Sequence, residues 1–124
     1  MTIEDLSRLY GACPQAGALV KVLAEPATRH IYIQGAQASA TPLLFASVAD
    51  RVTVPMVFIL PDAYEAGYFY HDLTQIMGQE RVLFFPSSYR RSVRHGQRDA
   101  ANEILRTEVL GRLSSRSSGD VLYV

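Results

Sequence analysis

The sequence has little of the chemistry that marks a metalloprotein, a secreted protein or a membrane protein. Its 124 residues contain no tryptophan and one cysteine, Cys13, which excludes an internal disulfide and is typical of a reducing cytoplasm. The three histidines, His30, His71 and His95, lie far apart in the chain without ligand spacing, so we predict no metal site. No apolar run reaches the ~18 residues of a membrane span, and the N-terminus lacks the basic and apolar regions of a signal peptide. We therefore expect a cytoplasmic chain without a membrane partner.

The charges cancel over the whole chain but are unevenly distributed. Residues 1–80 carry four basic and eight acidic side chains, whereas residues 81–124 carry eight basic and four acidic ones. Eleven of the twelve basic residues are arginine, which favours bidentate contacts with phosphate or carboxylate groups. A neutral total argues against a dedicated nucleic-acid binder, while the basic second half still permits a local contact.

Short apolar segments alternate with longer segments of helical pattern. The predicted strands are HIYIQ (30–34), PMVFILP (55–61), RVLFFP (81–86) and DVLYV (120–124). A nearly continuous apolar segment such as PMVFILP is typical of a strand buried on both faces of a parallel sheet. Alternating strands and helices predict an α/β fold with a parallel sheet of about four strands and helices on both faces. This is the topology of P-loop NTPases.

Helix signals are clearest at the chain start and around residues 62–78. Thr2 is predicted to cap a first helix with Asp5 in a capping box, and Pro14 to begin a second helix. Asp62 and Gly78 bound another predicted helix. A last helix at 98–113 is predicted to turn five residues inward, namely Ala100, Ile104, Leu105, Val109 and Leu113.

We expect residues 1–124 to form a single α/β domain. Residues 1–28 would be a helical lead-in, and residues 29–124 a βαβαβαβ core. Because the chain stops on an apolar strand just after SSRSSGD, we also expect it to be a fragment of a longer multidomain protein.

The loop after HIYIQ stands where a phosphate-binding loop would. The pattern G-x-x-x-x-G-K-[ST] begins correctly at Gly35 but continues with Ala40, Thr41 and Pro42 at its last three diagnostic positions. These residues remove the second glycine, the lysine that reaches the phosphates and the hydroxyl that holds Mg²⁺. Thr41 and Pro42 are instead predicted as the N-cap and first residue of a helix. We predict a degenerate loop with no bound cofactor and no catalytic residue in this chain.

An arginine-rich loop follows the third predicted strand. Its cationic residues are Arg90, Arg91, Arg94, His95 and Arg98. They could contact DNA phosphates, or they could be solvated or pair with another domain. Tyr89 is the only aromatic residue among them, and proteins that bind single strands normally use several. We therefore favour a solvated loop, or pairing with another domain, over contact with DNA.

Tyr64 and Tyr68 lie one turn apart on the predicted helix that Asp62 caps, so they share a face. This face could stack on bases or pack within the protein. We predict packing against the sheet or a neighbouring domain.

Five segments in this order resemble a known family. They are GAQASATPLLFASVAD, PMVFILPDAYEAGYFYHDL, RVLFFPSSY, NEILRTEVLGRL and DVLYV. The order is similar to the first part of the excinuclease subunit UvrB. It is more similar to the UvrB-like N-terminal region (domain 1a) of bacterial transcription-repair coupling factors (Mfd), particularly those of Bacteroidetes. The resemblance covers nearly the whole chain from about residue 30.

The resemblance implies a UvrB-like topology with a degenerate nucleotide loop. Where UvrB inserts a long aromatic hairpin that clamps DNA, this chain has only PSSYRRSVRHGQRD, which favours the coupling factor over a damage-verifying protein.

The resemblance also implies a role for a parent protein. Such a factor displaces stalled RNA polymerase from damaged DNA with a separate ATP- and Mg²⁺-dependent translocase. It recruits UvrA for nucleotide excision repair, mainly through the domain that follows this one. This chain would be a non-catalytic module that contacts other domains of the parent. Two alternatives stay open, namely an ATP-binding helicase-like domain and a DNA-binding module that uses the Arg90–Arg98 loop.

Overall fold

The chain is described by a computed structural model that covers residues 1–87, 99–117 and 122–124. These ranges contain five α-helices: α1 (Ile3–Ala12), α2 (Pro14–Ala24), α3 (Ala40–Val48), α4 (Ala63–Met77) and α5 (Ala100–Ser114). A short 3₁₀ turn, Ala49–Arg51, continues α3. None of these helices has both the length and the apolar character to cross a membrane.

Local capping explains where several helices begin. At α1, the Thr2 hydroxyl accepts from the Asp5 backbone N–H at 3.1 Å, and the Asp5 carboxylate accepts from the Thr2 N–H at 3.0 Å. This capping box is the predicted one. Pro14 opens α2 at a position where its missing N–H costs nothing. Asp62 caps α4, which ends as predicted at Gly78, whose φ of 82° favours glycine.

Helix α3 is the centre of the helical packing. It contacts α1, α2 and α4, and its sequence ATPLLFASV is apolar on every side, as expected of a helix surrounded by others. The main core lies between these helices and the segments that follow them. Its buried members are Ala16, Leu19, Val48, Ala49, Val52, Met56, Leu73, Val82 and Tyr123.

The predicted α/β fold is wrong, because the described ranges form a helical fold without an assigned strand or sheet. Parallel pairing is reduced to two isolated bridges, Met56 with Tyr123 and Val82 with Tyr123. A strand is assigned only where consecutive residues are paired with a neighbouring segment. Of the last predicted strand, which lies between the segments that contain Met56 and Val82, only residues 122–124 are described. The predicted strand 30–34 forms no backbone hydrogen bond with any described residue. Its β-branched residues favour an extended conformation, but no described segment pairs with it.

The segment PMVFILP is not buried on both faces as predicted. Met56 is buried and Phe58 half-buried, whereas Val57 and Ile59 are exposed. This period of two shows that one face of the segment packs on the core and the other faces solvent.

Helix α5 packs on residues 83 and 122–124 through a small second cluster. Of its five predicted inward residues, Val109 is buried and Leu105 half-buried, but Ala100, Ile104 and Leu113 are exposed. The prediction for these three is wrong because α5 covers short segments rather than a broad sheet.

Polar side chains of α5 also bind the segment 80–87. Arg112 donates to the Glu80 carbonyl at 2.6 Å, Arg106 to the Pro86 carbonyl at 2.9 Å, and Asn102 to the Ser87 carbonyl at 2.9 Å. These bonds hold α5 along that segment.

Candidate functional site

The loop before α3 has a backbone shape that glycine favours at one position. Gly35 has φ 89° and Ala38 has φ 48°, both in the left-handed region. The helix begins at Ala40 with Ser39 as its N-cap, so the prediction of Thr41 as N-cap and Pro42 as first residue is wrong. The turn at Ala38 brings the chain into the helix two residues earlier than the Thr-Pro signal indicated.

The backbone donors at the start of α3 are already used within the loop. The Ala40 N–H donates to the Gln37 carbonyl at 3.0 Å, and the Thr41 N–H donates to the Ala38 carbonyl at 3.2 Å. Pro42 has no N–H to donate. A phosphate-binding helix terminus works by pointing such N–H groups at the anion. These donors are therefore not directed at a ligand.

Pro42 lies inside the protein rather than at a ligand-facing surface. Its side chain is less than 2% exposed, and Thr41 before it is half-buried. The position that carries the Mg²⁺-binding hydroxyl in a working loop is therefore turned into the core. Of the predicted loop positions, Ala40 and Thr41 have their N–H groups engaged and Pro42 is buried, so these three form no anion cradle.

A second feature is an apolar groove of about 950 Å³ beside α4 and the first turn of α5. Its floor and walls come from residues 57–61 and 82–87, from α4 and from Val124. Aromatic side chains form much of the wall, namely Phe58, Phe69, Tyr70, Phe84 and Phe85. Among the described residues, no Lys, Arg, His or Cys lines it.

The aromatic side chains beside the groove pack on one another. The Phe58 ring lies 5.2 Å from that of Phe45 in an edge-on arrangement and 4.9 Å from that of Phe69. The rings of Tyr70 and Phe84 are 5.3 Å apart. Such pairs fix side-chain orientation beyond what area burial alone does.

Two carboxylates line the groove, and both cap helices. Asp62 accepts from the N–H groups of Tyr64 and Glu65 at 2.9 Å each. Asp99 accepts from the N–H of Ala101 at 3.0 Å. Their position at helix N-termini favours a structural role over acid–base chemistry.

Tyr64 and Tyr68 are exposed, so they do not pack against a sheet, and their packing against a neighbouring domain stays a prediction. Their rings lie 4.8 Å apart at 72°, and the Tyr64 hydroxyl donates to the Tyr68 hydroxyl at 3.3 Å. This hydrogen bond raises the pKa of the Tyr64 phenol, with smaller contributions from desolvation and from Asp62. The pair packs on itself at the surface of α4.

The predicted contact residues Arg90, Arg91, Arg94 and Arg98 lie in the range 88–98, outside the described residues. Their contact with DNA or with another domain stays a prediction. In the described ranges, no three His, Cys, Asp or Glu side chains form a group that could hold a metal ion.

Sequence reasoning missed the role of Tyr123. Its side chain is 1% exposed, and its hydroxyl accepts from Arg81 Nη2 at 3.2 Å and donates to the Ala49 carbonyl at 3.5 Å. Arg81 also lies over the ring, 5.3 Å from its centroid, and pairs with Asp50 at 3.6 Å. Burial raises the pKa of the Tyr123 phenol, and Arg81 partly opposes this. These partners lie 42 and 74 residues away, so no local pattern could have indicated them.

Comparisons of the chain with protein-family models, with curated proteins and with solved structures find no match.

Proposed function

We propose that this chain is a non-catalytic interaction module, the role that its resemblance to the first region of transcription-repair coupling factors implies. In this proposal the chain neither binds nor hydrolyses ATP. It offers surfaces to other domains of a longer parent protein. The α/β topology that the resemblance also implied is not part of the proposal.

The observation that carries the proposal is the use of backbone donors at the start of α3. The N–H groups of Ala40 and Thr41 already donate to loop carbonyls, and Pro42 supplies none. An anion would have to break these bonds without a lysine to compensate, because Thr41 occupies the lysine position. Any residual attraction to the helix terminus would be weak and screened by salt.

The groove beside α4 supports the interaction part of the proposal. It is apolar and lined by aromatic side chains, which suits contact with another protein surface. Its two carboxylates are engaged as helix caps, and no cationic side chain among the described residues lines it.

The activities of the parent protein belong to the same proposal. ATP-driven displacement of stalled RNA polymerase from DNA would reside in a separate translocase that uses ATP and Mg²⁺. UvrA recruitment would reside mainly in the following domain. The present chain would contribute contacts within the parent rather than chemistry.

A calorimetric titration of the chain with Mg·ATP, at about 0.15 M salt, tests the proposal. We expect no binding heat and no thermal stabilisation up to roughly millimolar ATP, because the Ala40 and Thr41 N–H groups already donate to loop carbonyls and the lysine position holds Thr41. Saturable binding at micromolar concentrations would contradict the proposal and would favour the ATP-binding helicase-like alternative.

The DNA-binding alternative has a different signature. It predicts affinity for DNA that falls steeply as salt increases, and that weakens in Arg90→Ala and Arg94→Ala. Arg8→Ala is the matched control, since Arg8 is exposed on α1 and makes only a surface ion pair with Asp5. We expect all three variants to behave as the unmodified chain does, because in our proposal that chain has no specific affinity for DNA.

A further inference from the structure

The segment Pro55–Ile59 is hydrogen-bonded along one edge only. The Met56 N–H donates to the Leu122 carbonyl at 3.0 Å, the Phe58 N–H to the Val124 carbonyl at 2.8 Å, and the Val124 N–H to the Met56 carbonyl at 3.0 Å. In such a segment, successive residues direct their backbone groups to opposite sides. The backbone groups of Val57 and Ile59 therefore lie on the other edge.

Within the described ranges, that second edge is open. No described residue forms a backbone hydrogen bond with Val57 or Ile59. Their side chains are 70% and 93% exposed. The edge offers two donors, the N–H groups of Val57 and Ile59, and three acceptors, their carbonyls and that of Pro55.

The open edge carries only part of the usual protection against pairing with another chain. Natural edges are commonly protected by charged side chains, prolines, short length, bulges or covering loops. Residues 52–61, VTVPMVFILP, contain no charged side chain. Pro55 and Pro61 limit the edge to a short length, but Pro55 still presents its carbonyl.

We propose that this edge pairs antiparallel with the same edge of a second copy, across a two-fold axis at Val57. The two Val57 residues would exchange both of their N–H···O bonds, as directly opposed residues of an antiparallel pair do. The Ile59 N–H of each copy would then donate to the Pro55 carbonyl of the other. Four hydrogen bonds result, and the missing N–H of Pro55 is not needed for any of them.

The edge is self-complementary in its donors and acceptors, and the charge of the chain does not oppose a second copy as the occupant. The formal net charge is zero and the isoelectric point is about 6.8, so two copies do not repel each other strongly at neutral pH. The exposed Val57 and Ile59 side chains would be brought together without opposing any charge. A contact of five residues per copy is small, so the dimer is expected to be weak and concentration-dependent. The inference does not depend on the nucleotide question.

Sedimentation equilibrium of the full 124-residue chain at neutral pH tests the pairing. Over roughly 10 μM to 1 mM protein, we expect the average mass to rise from the 13.8 kDa of one chain and to level off at twice that value. Levelling off is expected because two-fold pairing closes on itself.

Two variants test the edge itself. Val57→Pro removes the donor that the pairing uses twice, and it breaks no hydrogen bond within the monomer, since edge positions facing solvent tolerate proline. Ile59→Lys places a charge at an edge position that carries none. We expect each to raise the dimer dissociation constant at least about tenfold, and Leu9→Lys on exposed α1 to leave it unchanged. Circular dichroism checks that each variant stays folded.

Several results would overturn the inference. One is a monomer at every concentration, including a monomer that instead binds an extended apolar peptide. Another is a dimer that both edge variants leave intact or that Leu9→Lys disrupts equally. Growth beyond the dimer would also contradict closed two-fold pairing.

Discussion

Removing only the hydroxyl of Tyr123 tests whether this residue joins the chain end to the helical core. In the Tyr123→Phe variant the ring keeps its packing, while the bonds to Arg81 (3.2 Å) and to the Ala49 carbonyl (3.5 Å) are lost. The Ala49 carbonyl still accepts from the Val52 N–H at 3.4 Å, and the Arg81 side chain is 40% exposed and can turn to water. Neither partner is therefore left buried and unsatisfied.

The expected cost follows from these two bonds. The neutral bond to Ala49 contributes about 0.5–1.5 kcal/mol and the bond from the charged Arg81 about 1.5–3 kcal/mol. Because the first bond is long and Arg81 is partly exposed, we expect a loss near the lower end of the sum, about 2 kcal/mol in the free energy of unfolding. For a chain of this size, each kcal/mol corresponds to about 4 °C in melting temperature. Thermal and urea unfolding followed by circular dichroism would measure both quantities.

Tyr32→Phe is the matched control. Tyr32 is 87% exposed and forms no hydrogen bond with a described residue, so the same chemical change there should alter stability by less than about 0.5 kcal/mol. Equal stability of the Tyr123→Phe and Tyr32→Phe variants would show that the two hydrogen bonds of the Tyr123 hydroxyl do not stabilise the fold.

The same variant makes a prediction about pH. The pKa of Tyr123 is raised in the folded chain, so its protonated form stabilises the fold below the ordinary tyrosine pKa of about 10. That contribution is lost as the pH rises above 10 and through the folded pKa. The stability advantage of the unmodified chain over Tyr123→Phe should therefore shrink above pH ~10. An advantage that grows with pH would contradict this sign.

Three further substitutions have matched partners and can be measured by the same unfolding experiments. Val48→Ala, in the fully buried core, should cost about 2 kcal/mol, whereas Val57→Ala, 70% exposed, should change stability by less than about 0.5 kcal/mol. Ala38→Gly should be neutral or stabilising by up to about 1 kcal/mol, because Ala38 has φ 48°, a backbone conformation that favours glycine. At the exposed position Ala18 in α2, Ala18→Gly should instead cost about 1 kcal/mol. Asp62→Ala should cost about 1 kcal/mol by removing the α4 cap, and Asp62→Asn should restore most of it.

Each pair has a contradicting result. Equal effects of the two valine substitutions would contradict the burial of Val48. A loss of stability in Ala38→Gly as large as that in Ala18→Gly would contradict the left-handed conformation of Ala38. Equal losses in the alanine and asparagine variants of Asp62 would contradict its role as a cap.

Features that depend on a few neighbouring residues could be predicted from the sequence. The capping box of Thr2 and Asp5, the start of α2 at Pro14, and the limits of α4 at Asp62 and Gly78 are all confirmed. Each of these features is decided within one helical turn, by a side-chain oxygen, a missing N–H or a positive φ. Local chemistry is therefore sufficient to locate them.

Features that depend on distant partners could not be predicted. The run PMVFILP has strong strand propensity, yet Val57 and Ile59 face solvent because no described element covers them. The Thr41–Pro42 pair resembles a helix start, but the left-handed Ala38 places that start at Ala40. Propensity indicates which conformation a segment favours, but it does not indicate which other segments it contacts in the folded chain.

A ¹⁵N–¹H spectrum of the chain during titration with Mg·ATP tests most directly whether the loop binds phosphate. The Ala40 and Thr41 amide groups report on this, since their protons donate to the Gln37 and Ala38 carbonyls. We expect both resonances to stay in place up to roughly millimolar Mg·ATP at about 0.15 M salt. Saturable shifts of these two amides at micromolar Mg·ATP would show that the loop receives phosphate, and would contradict the proposal of a non-catalytic module.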